Sequence, residues 1–182
     1  MNKLFVISGS SGVGKGTVIK EFLRKNPEFK LSVSCTTRQP REGEIHGENY
    51  FFLSKEEFLA CIERNEFLEW AQFSGNMYGT QRPYIEEKLR QGKKLILEID
   101  TQGALNVKKI MPDAILIFIL PPSFEELEAR LRGRHTETEE AIQKRLESTK
   151  LELENSKFFD YEIINDNIDK AVSKLEEIMC KG

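Results

Sequence analysis

The sequence predicts an α/β protein built on a parallel sheet wrapped by helices, and three features lead there. Apolar strand-like runs alternate with helical patterns of roughly ten residues or more. The first run passes straight into a glycine-rich loop, and the last segment is an amphipathic helix. Strands are expected at Leu4 to Ser8, Lys94 to Ile99, Ile115 to Leu120 and Tyr161 to Asn165. Near-continuous apolar runs of this kind suit strands buried on both faces.

The loop after the first strand reads Gly9, Ser10, Ser11, Gly12, Val13, Gly14, Lys15, Gly16, Thr17, and a helix is expected from Val18 to Lys25. Glycines let successive backbone N–H groups face one polyphosphate, the helix N-terminus adds positive potential, and Lys15 reaches the β/γ-phosphates. A nucleoside triphosphate is therefore the expected ligand. The common form of this loop places Ser or Thr directly after the lysine to ligate magnesium, but here that residue is Gly16. Mg2+ is accordingly expected to be held mainly by phosphate oxygens and water, with Thr17 and Asp100 as the candidate protein groups.

Between Ser34 and Thr80 the texture changes to short β-type pieces around Tyr50-Phe51-Phe52 and Phe67 to Phe73. Between them runs a helix, Lys55 to Glu63, that Ser54 and Glu57 can open as a capping box. This is an inserted α/β lobe. A second polar excursion, Arg130 to Asn155, is charged and small in composition, and Thr136 with Glu139 can cap a long exposed helix there. Ile168, Ala171, Val172, Leu175, Ile178 and Met179 recur at helical spacing, so the last helix is expected to lay one apolar stripe on the sheet. The layout is one domain: a core of about residues 1–33, 81–124 and 156–182, a lobe of about 34–80, and a lid of about 125–155.

With 182 residues, 39% hydrophobic and 31% charged, the chain carries one full core, and disorder is excluded. A net charge of −3 supplies no global attraction to nucleic acid or to an anionic membrane. Cys35, Cys61 and Cys180 are odd in number and far apart, and with His46 and His135 the only histidines, neither a disulfide framework nor a zinc site is expected. Met1-Asn2-Lys3 leads into a short strand, and no uncharged run approaches membrane length. A reduced, cytoplasmic protein is expected, with no membrane partner.

Arg38 and Arg41 flank Pro40, with Thr36 and Thr37 before them and Tyr50 behind. Arginine forks match phosphate oxygens and a tyrosine hydroxyl adds a neutral donor, so a second phosphate site is indicated. The run Thr36-Thr37-Arg38-x-x-Arg41-x-x-Glu44-x-x-Gly47-x-x-Tyr50-x-Phe52-Leu53 resembles the fingerprint of the guanylate kinase family. The similarity continues through Glu69-Trp70, Asn76-x-Tyr78-Gly79-Thr80, Glu98-Ile99-Asp100-x-Gln102-Gly103, Arg130-Leu-x-Gly133-Arg134 and Asn165-Asp166.

That resemblance implies transfer of the ATP γ-phosphoryl group to GMP or dGMP. It implies that Lys15 and the loop hold the donor phosphates, that Arg38, Arg41, Tyr50 and Tyr78 hold the acceptor phosphate, and that Arg134 and Arg145 bridge the donor. Asn165 would meet adenine. Glu69 would accept guanine N1–H and the 2-amino group, with Ser34 and Thr80 at the guanine edge. Asp100 would order guanine or metal-bound water, or else cap the following helix. Trp70 is expected in the core. The acceptor oxygen is already anionic, so no general base is needed. The sequence leaves oligomeric state open.

Overall fold

The computed structural model describes residues 3–10, 12–133 and 139–181. Five parallel strands form the main sheet: β1 (Leu4–Gly9), β2 (Phe29–Leu31), β7 (Lys94–Glu98), β8 (Ile115–Leu120) and β9 (Tyr161–Ile164), in the order β2-β7-β1-β8-β9. The central position of β1 explains its complete burial. Its residues alternate between two cores. Phe5 and Ile7 pack with Val18, Ile19 and Phe22 of α1 (Lys15–Lys25) and Val172 and Leu175 of α7 (Ile168–Lys181). Leu4 and Val6 pack on the opposite face with Ile85 of α3 (Arg82–Arg90) and Ala104 and Val107 of α4 (Thr101–Ile110).

A second sheet of four strands, ordered β4-β3-β6-β5, is made by β3 (Cys35–Thr36), β4 (Phe51–Phe52), β5 (Phe67–Phe73) and β6 (Asn76–Gln81). It carries its own small core of Cys35, Phe58, Cys61, Phe67 and Met77, with the Phe58 and Phe67 rings stacked 4.4 Å apart. Helix α2 (Lys55–Glu63) covers this core, and Ser54 and Glu57 form the capping box, with Glu57 N–H donating to Ser54 Oγ at 3.1 Å and Ser54 N–H to Glu57 Oε2 at 2.7 Å. Helices α5 (Phe124–Arg132) and α6 (Glu139–Asn155) follow β8. The polar excursion is not wholly solvated, because Leu127, Ile142 and Leu146 bury one another beside Phe124. Thr136, the expected cap of α6, lies outside the described residues.

Three differences from the sequence reading have local causes. Helix α1 begins at Lys15 rather than Val18, because Gly14 adopts a left-handed conformation (φ 87°) and caps the helix from inside the loop. Trp70 is 46% exposed rather than core, because a bulge between Phe67 and Glu69 shifts the register of β5. Phe67 and Leu68 are both buried there, and the side chains beyond them alternate anew. Ile168 leaves the apolar stripe of α7 and is 42% exposed, lining a cavity beside the phosphate loop.

Gly9 ends β1 where β8 runs alongside, and a Cβ on Gly9 would stand 2.6 Å from the Ile119 carbonyl oxygen. Gly9→Ala must push two paired strands apart, which overpacking costs put at about 1–3 kcal/mol. The thermal midpoint is expected to fall by about 2–12 °C, read by calorimetry. An unchanged midpoint would show that this contact relaxes freely.

Candidate active site at the carboxyl ends of the parallel strands

Parallel strands all end on the same side, and there the loops after β1, β2, β7 and β9 meet. The loop between β1 and α1 uses left-handed glycines at Gly12 (φ 82°) and Gly14 (φ 87°), the conformation that turns successive amides to one side. Val13 is buried and its N–H donates to the Ser10 carbonyl at 3.3 Å. Ser10 is buried too, and its Oγ has no hydrogen-bond partner among the described residues. Ser11 lies outside the described residues.

Asn165, at the end of β9, supports this loop from below. It is 6% exposed, and its Nδ2 donates to the Val13 carbonyl at 2.8 Å. A Cβ on Gly14 would lie 2.9 Å from the same nitrogen, so the loop and the amide leave no room between them. Asn165 also lines, with Thr17, Asp166 and Ile168, a cavity of about 540 Å³ next to the loop. The Lys15 ammonium is half-buried. Desolvation lowers its pKa, opposed by the carboxylates of Glu98, Glu152 and Asp100. Gly16 points toward Glu98, whose Oε1 would be 3.6 Å from a Cβ there.

The second sheet brings Arg38, Tyr50 and Tyr78 together. The Arg38 guanidinium lies 5.5 Å from the Tyr50 ring centroid, the Tyr50 and Tyr78 rings are 6.2 Å apart, and the Tyr78 hydroxyl approaches the guanidinium. Arg41 stands exposed on the turn beyond. The threonines before Arg38 serve the backbone: Thr36 Oγ1 accepts from Arg38 N–H at 3.1 Å and Thr37 Oγ1 from Met77 N–H at 2.9 Å.

A cavity of about 360 Å³ adjoins this cluster, lined by Ser34, Tyr50, Glu69, Tyr78, Glu98 and Asp100 among others. Glu69 accepts the Thr80 hydroxyl at 2.6 Å through Oε1. Burial pushes the Glu69 carboxyl up to about 7, with the Thr80 hydrogen bond opposing and the Asp100 charge adding. Asp100 performs the cap as well as lining the cavity, since its Oδ1 accepts Gly103 N–H at 2.6 Å at the start of α4. Gly103 packs closely here, since a Cβ on it would stand 3.1 Å from Glu69 Oε2 and would push that carboxylate aside.

Of the residues singled out from sequence, Ser34, Tyr50, Glu69, Tyr78 and Asp100 line one cavity, with Thr80 bonded to Glu69 and Arg38 beside Tyr50, while Gly14, Thr17 and Asn165 line another. Arg134 lies outside the described residues, as does the side chain of Arg145. Sequence reasoning gave no role to Glu98 or Glu152, which face Lys15, or to Phe73, which lines the mouth of the Glu69 cavity at 73% exposure. Glu98 had a signal in its position at the end of an apolar strand; Glu152, inside a long polar helix, had none.

A glycine-rich loop between the central strand and its helix, facing an inserted sheet with an arginine-tyrosine cluster, defines a phosphate-loop nucleotide-binding protein. The family model described as guanylate kinase matches residues 1–182. A guanylate kinase of Prochlorococcus marinus is 52% identical over 178 residues, covering 98% of this chain and 97% of that one. One of Parasynechococcus marenigrum is 50% identical over 182 residues, covering both chains completely. The crystal structure of guanylate kinase from Anaplasma phagocytophilum superposes with a TM-score of 0.74 at 32% identity, covering 98% of this chain and 85% of that one. This chain belongs to the guanylate kinase family.

Lys15→Met removes a charge that the fold desolvates, so stability should hold or rise slightly. Phosphoryl transfer is expected to fall about a hundredfold or more. Steady-state kinetics with a parallel melting curve checks this; kcat within a few fold of the parent would remove Lys15 from the chemistry.

Proposed function

We propose that the protein transfers the γ-phosphoryl group of ATP to GMP, and to dGMP, giving ADP and GDP or dGDP. The observation that carries this reading is the desolvated carboxylate of Glu69, which lines the same cavity as Tyr50 and Tyr78, with Arg38 beside Tyr50. Guanine offers N1–H and its 2-amino group as neighbouring donors, and a carboxylate accepts both; adenine lacks that pair. Ser34, Thr80 and Asp100 belong to the same base site in this proposal, and Arg38, Arg41, Tyr50 and Tyr78 to the GMP phosphate. ATP takes the loop from Gly9 to Thr17 with Asn165, and Arg134 and Arg145 bridge the donor in this proposal.

The reaction asks for two polyanions in line, with their repulsion cancelled and water kept out. Lys15 and the loop amides draw charge from the β/γ-phosphates, while Arg38 and Arg41 hold the acceptor. The acceptor oxygen is anionic at neutral pH, so no residue has to remove a proton. The lobe of about residues 34–80 and the lid of about 125–155 closing over the two nucleotides would exclude water. Oligomeric state stays outside the proposal, and a cytoplasmic location, with Cys35, Cys61 and Cys180 all free thiols, belongs to it.

The residues around the loop fit Mg2+. Thr17, Glu98 and Asp100 offer oxygen donors beside Lys15. Gly16 supplies none, and no cluster of three or more His, Cys, Asp or Glu residues that could hold a metal occurs among the described residues. That donor set would suit an ion carried mostly by phosphates and water, with Thr17 and Asp100 the protein groups that would help hold it. When bound, the ion neutralises charge on the transferring phosphates.

An ADP-release assay across GMP, dGMP, AMP, CMP and UMP tests the reading. Turnover confined to GMP and dGMP is expected; equal use of AMP would overturn it.

Base recognition should also titrate. GMP needs both Glu69 oxygens as acceptors, so it binds the ionised form, whose population falls as pH drops below about 7. The KM for GMP is expected to rise about tenfold per pH unit below that value. Glu69→Gln should have a high KM that keeps only the titration of the GMP phosphate itself, near pH 6. The stability effect has the opposite sense. A carboxyl raised in the fold favours the protonated state, so the native protein loses stability as pH rises from the ordinary range through 7. Glu69→Gln is therefore expected to be more stable than the parent at pH 8, by about 1–2 kcal/mol. Denaturant melts at pH 5 and 8 check the sign.

A further inference from the structure

Arginine presents five N–H donors in a rigid planar fork, and which edge of the fork faces a phosphate decides whether two bonds or one can form. In Arg38 the end of the fork is already occupied. Nη1 donates to Glu44 Oε2 at 3.0 Å and Nη2 to Glu44 Oε1 at 2.9 Å, while Nη1 also donates to the Gln39 carbonyl at 2.8 Å. Those three bonds use both Nη1 hydrogens and one from Nη2. Nε–H and the outer Nη2–H are committed neither to Glu44 nor to Gln39. These two donors are parallel and lie along one side of the guanidinium, the pairing that a phosphate accepts with two oxygens.

Glu44 is itself held. Its Oε2 also accepts Arg41 N–H at 2.7 Å, and its own N–H donates to the Arg41 carbonyl at 3.0 Å. Gly43 supplies the left-handed residue (φ 82°) that closes this turn. The carboxylate thus ties the turn carrying Arg41 to the guanidinium of Arg38. Both side chains are largely covered, 16% exposed for Arg38 and 20% for Glu44, so the pair is sheltered better than an ordinary surface bridge. The Tyr78 hydroxyl also approaches the guanidinium, where the donors left over are those of the Nε/Nη2 edge, so a phosphate would share that edge with it, and the rings of Tyr50 and Phe52 lie against the guanidinium.

We propose that Glu44 is a positioning residue: it grips the outer end of the Arg38 fork so that the Nε/Nη2 edge is left to meet the phosphate of the acceptor nucleotide. This rests on the assignment of Arg38 to the GMP phosphate. A carboxylate beside a phosphate site repels the ligand, and the arrangement is favourable only because it fixes a long, rotamer-rich side chain in advance. The opposite arrangement, in which Glu44 occupies the phosphate's own place and is expelled on binding, predicts the reverse effect of removing it.

The test uses the full-length protein and four variants, Glu44→Ala, Glu44→Gln, Arg38→Ala and the double variant Arg38→Ala with Glu44→Ala, each checked for an unchanged melting midpoint. Glu44→Ala and Glu44→Gln are expected to raise the KM for GMP about tenfold or more with the KM for ATP within about twofold. The inhibition constant of guanosine, which has the base and no phosphate, should not move. In the Arg38→Ala background, adding Glu44→Ala should change the KM for GMP by less than about twofold, because its route of action has gone. Unchanged or tighter GMP binding in Glu44→Ala overturns the proposal. So does full additivity in the double variant, or guanosine weakened as much as GMP, since either shows an effect on the lobe rather than on the fork. If Arg38→Ala leaves the KM for GMP unchanged, the phosphate assignment itself fails and the proposal falls with it. Glu44 alone fails if Arg38→Ala weakens GMP and neither Glu44 variant does.

Discussion

The arrangement of this protein depends on how closely the phosphate loop lies against the sheet. Gly9 leaves no space before the Ile119 carbonyl, and Asn165 holds the Val13 carbonyl from beneath, next to Gly14. With that carbonyl tied down by a buried donor, the loop's curvature is set by hydrogen bonding rather than by the ligand. Pre-organisation of this kind lowers the conformational cost of gathering backbone amides around an anion. It also links strands that are distant in sequence, since the buried amide comes from the end of β9 and the loop from the end of β1.

Charges in the cleft come in unequal partnerships. Lys15 is desolvated but faces the carboxylates of Glu98, Glu152 and Asp100; Arg38 is paired with Glu44; Glu69 is desolvated, with Thr80 as its hydrogen-bond partner. The pattern is consistent with a site whose ligand brings the missing partners. In the proposed reaction phosphates would complete the cations and a base with two neighbouring donors would complete Glu69. A buried carboxylate with a shifted pKa costs stability in the free protein, and the same desolvation makes it discriminating, because a base that cannot donate leaves it unpaired.

The sequence and the fold agreed where the signal was local. The capping box of Ser54 and Glu57 opens α2 at the expected residue, because all its atoms lie within one turn. The apolar runs became the strands of the parallel sheet because each is buried on both faces. Trp70 and Ile168 went the other way. Each lies on a strand or helix whose periodicity promised burial, but a bulge turned one outward and a cavity claimed the other. Neither event leaves a mark in a period count.

Residue chemistry and spacing along the chain were enough to determine the glycine-rich loop and the parallel sheet behind it, and to group Arg38, Arg41 and Tyr50 as an expected phosphate site; Glu69 entered only through the family resemblance. Composition, periodicity and motif spacing are properties of neighbouring residues, and they survive without knowledge of the fold. Only the tertiary structure decided what those residues do to each other. It put Glu98 and Glu152 beside Lys15, turned Asn165 under the loop, made Asp100 both a helix cap and a wall of the Glu69 cavity, and spent one edge of Arg38 on Glu44. Desolvation and the direction of a hydrogen bond arise from segments that meet in space, so no reading of a single stretch of chain contains them.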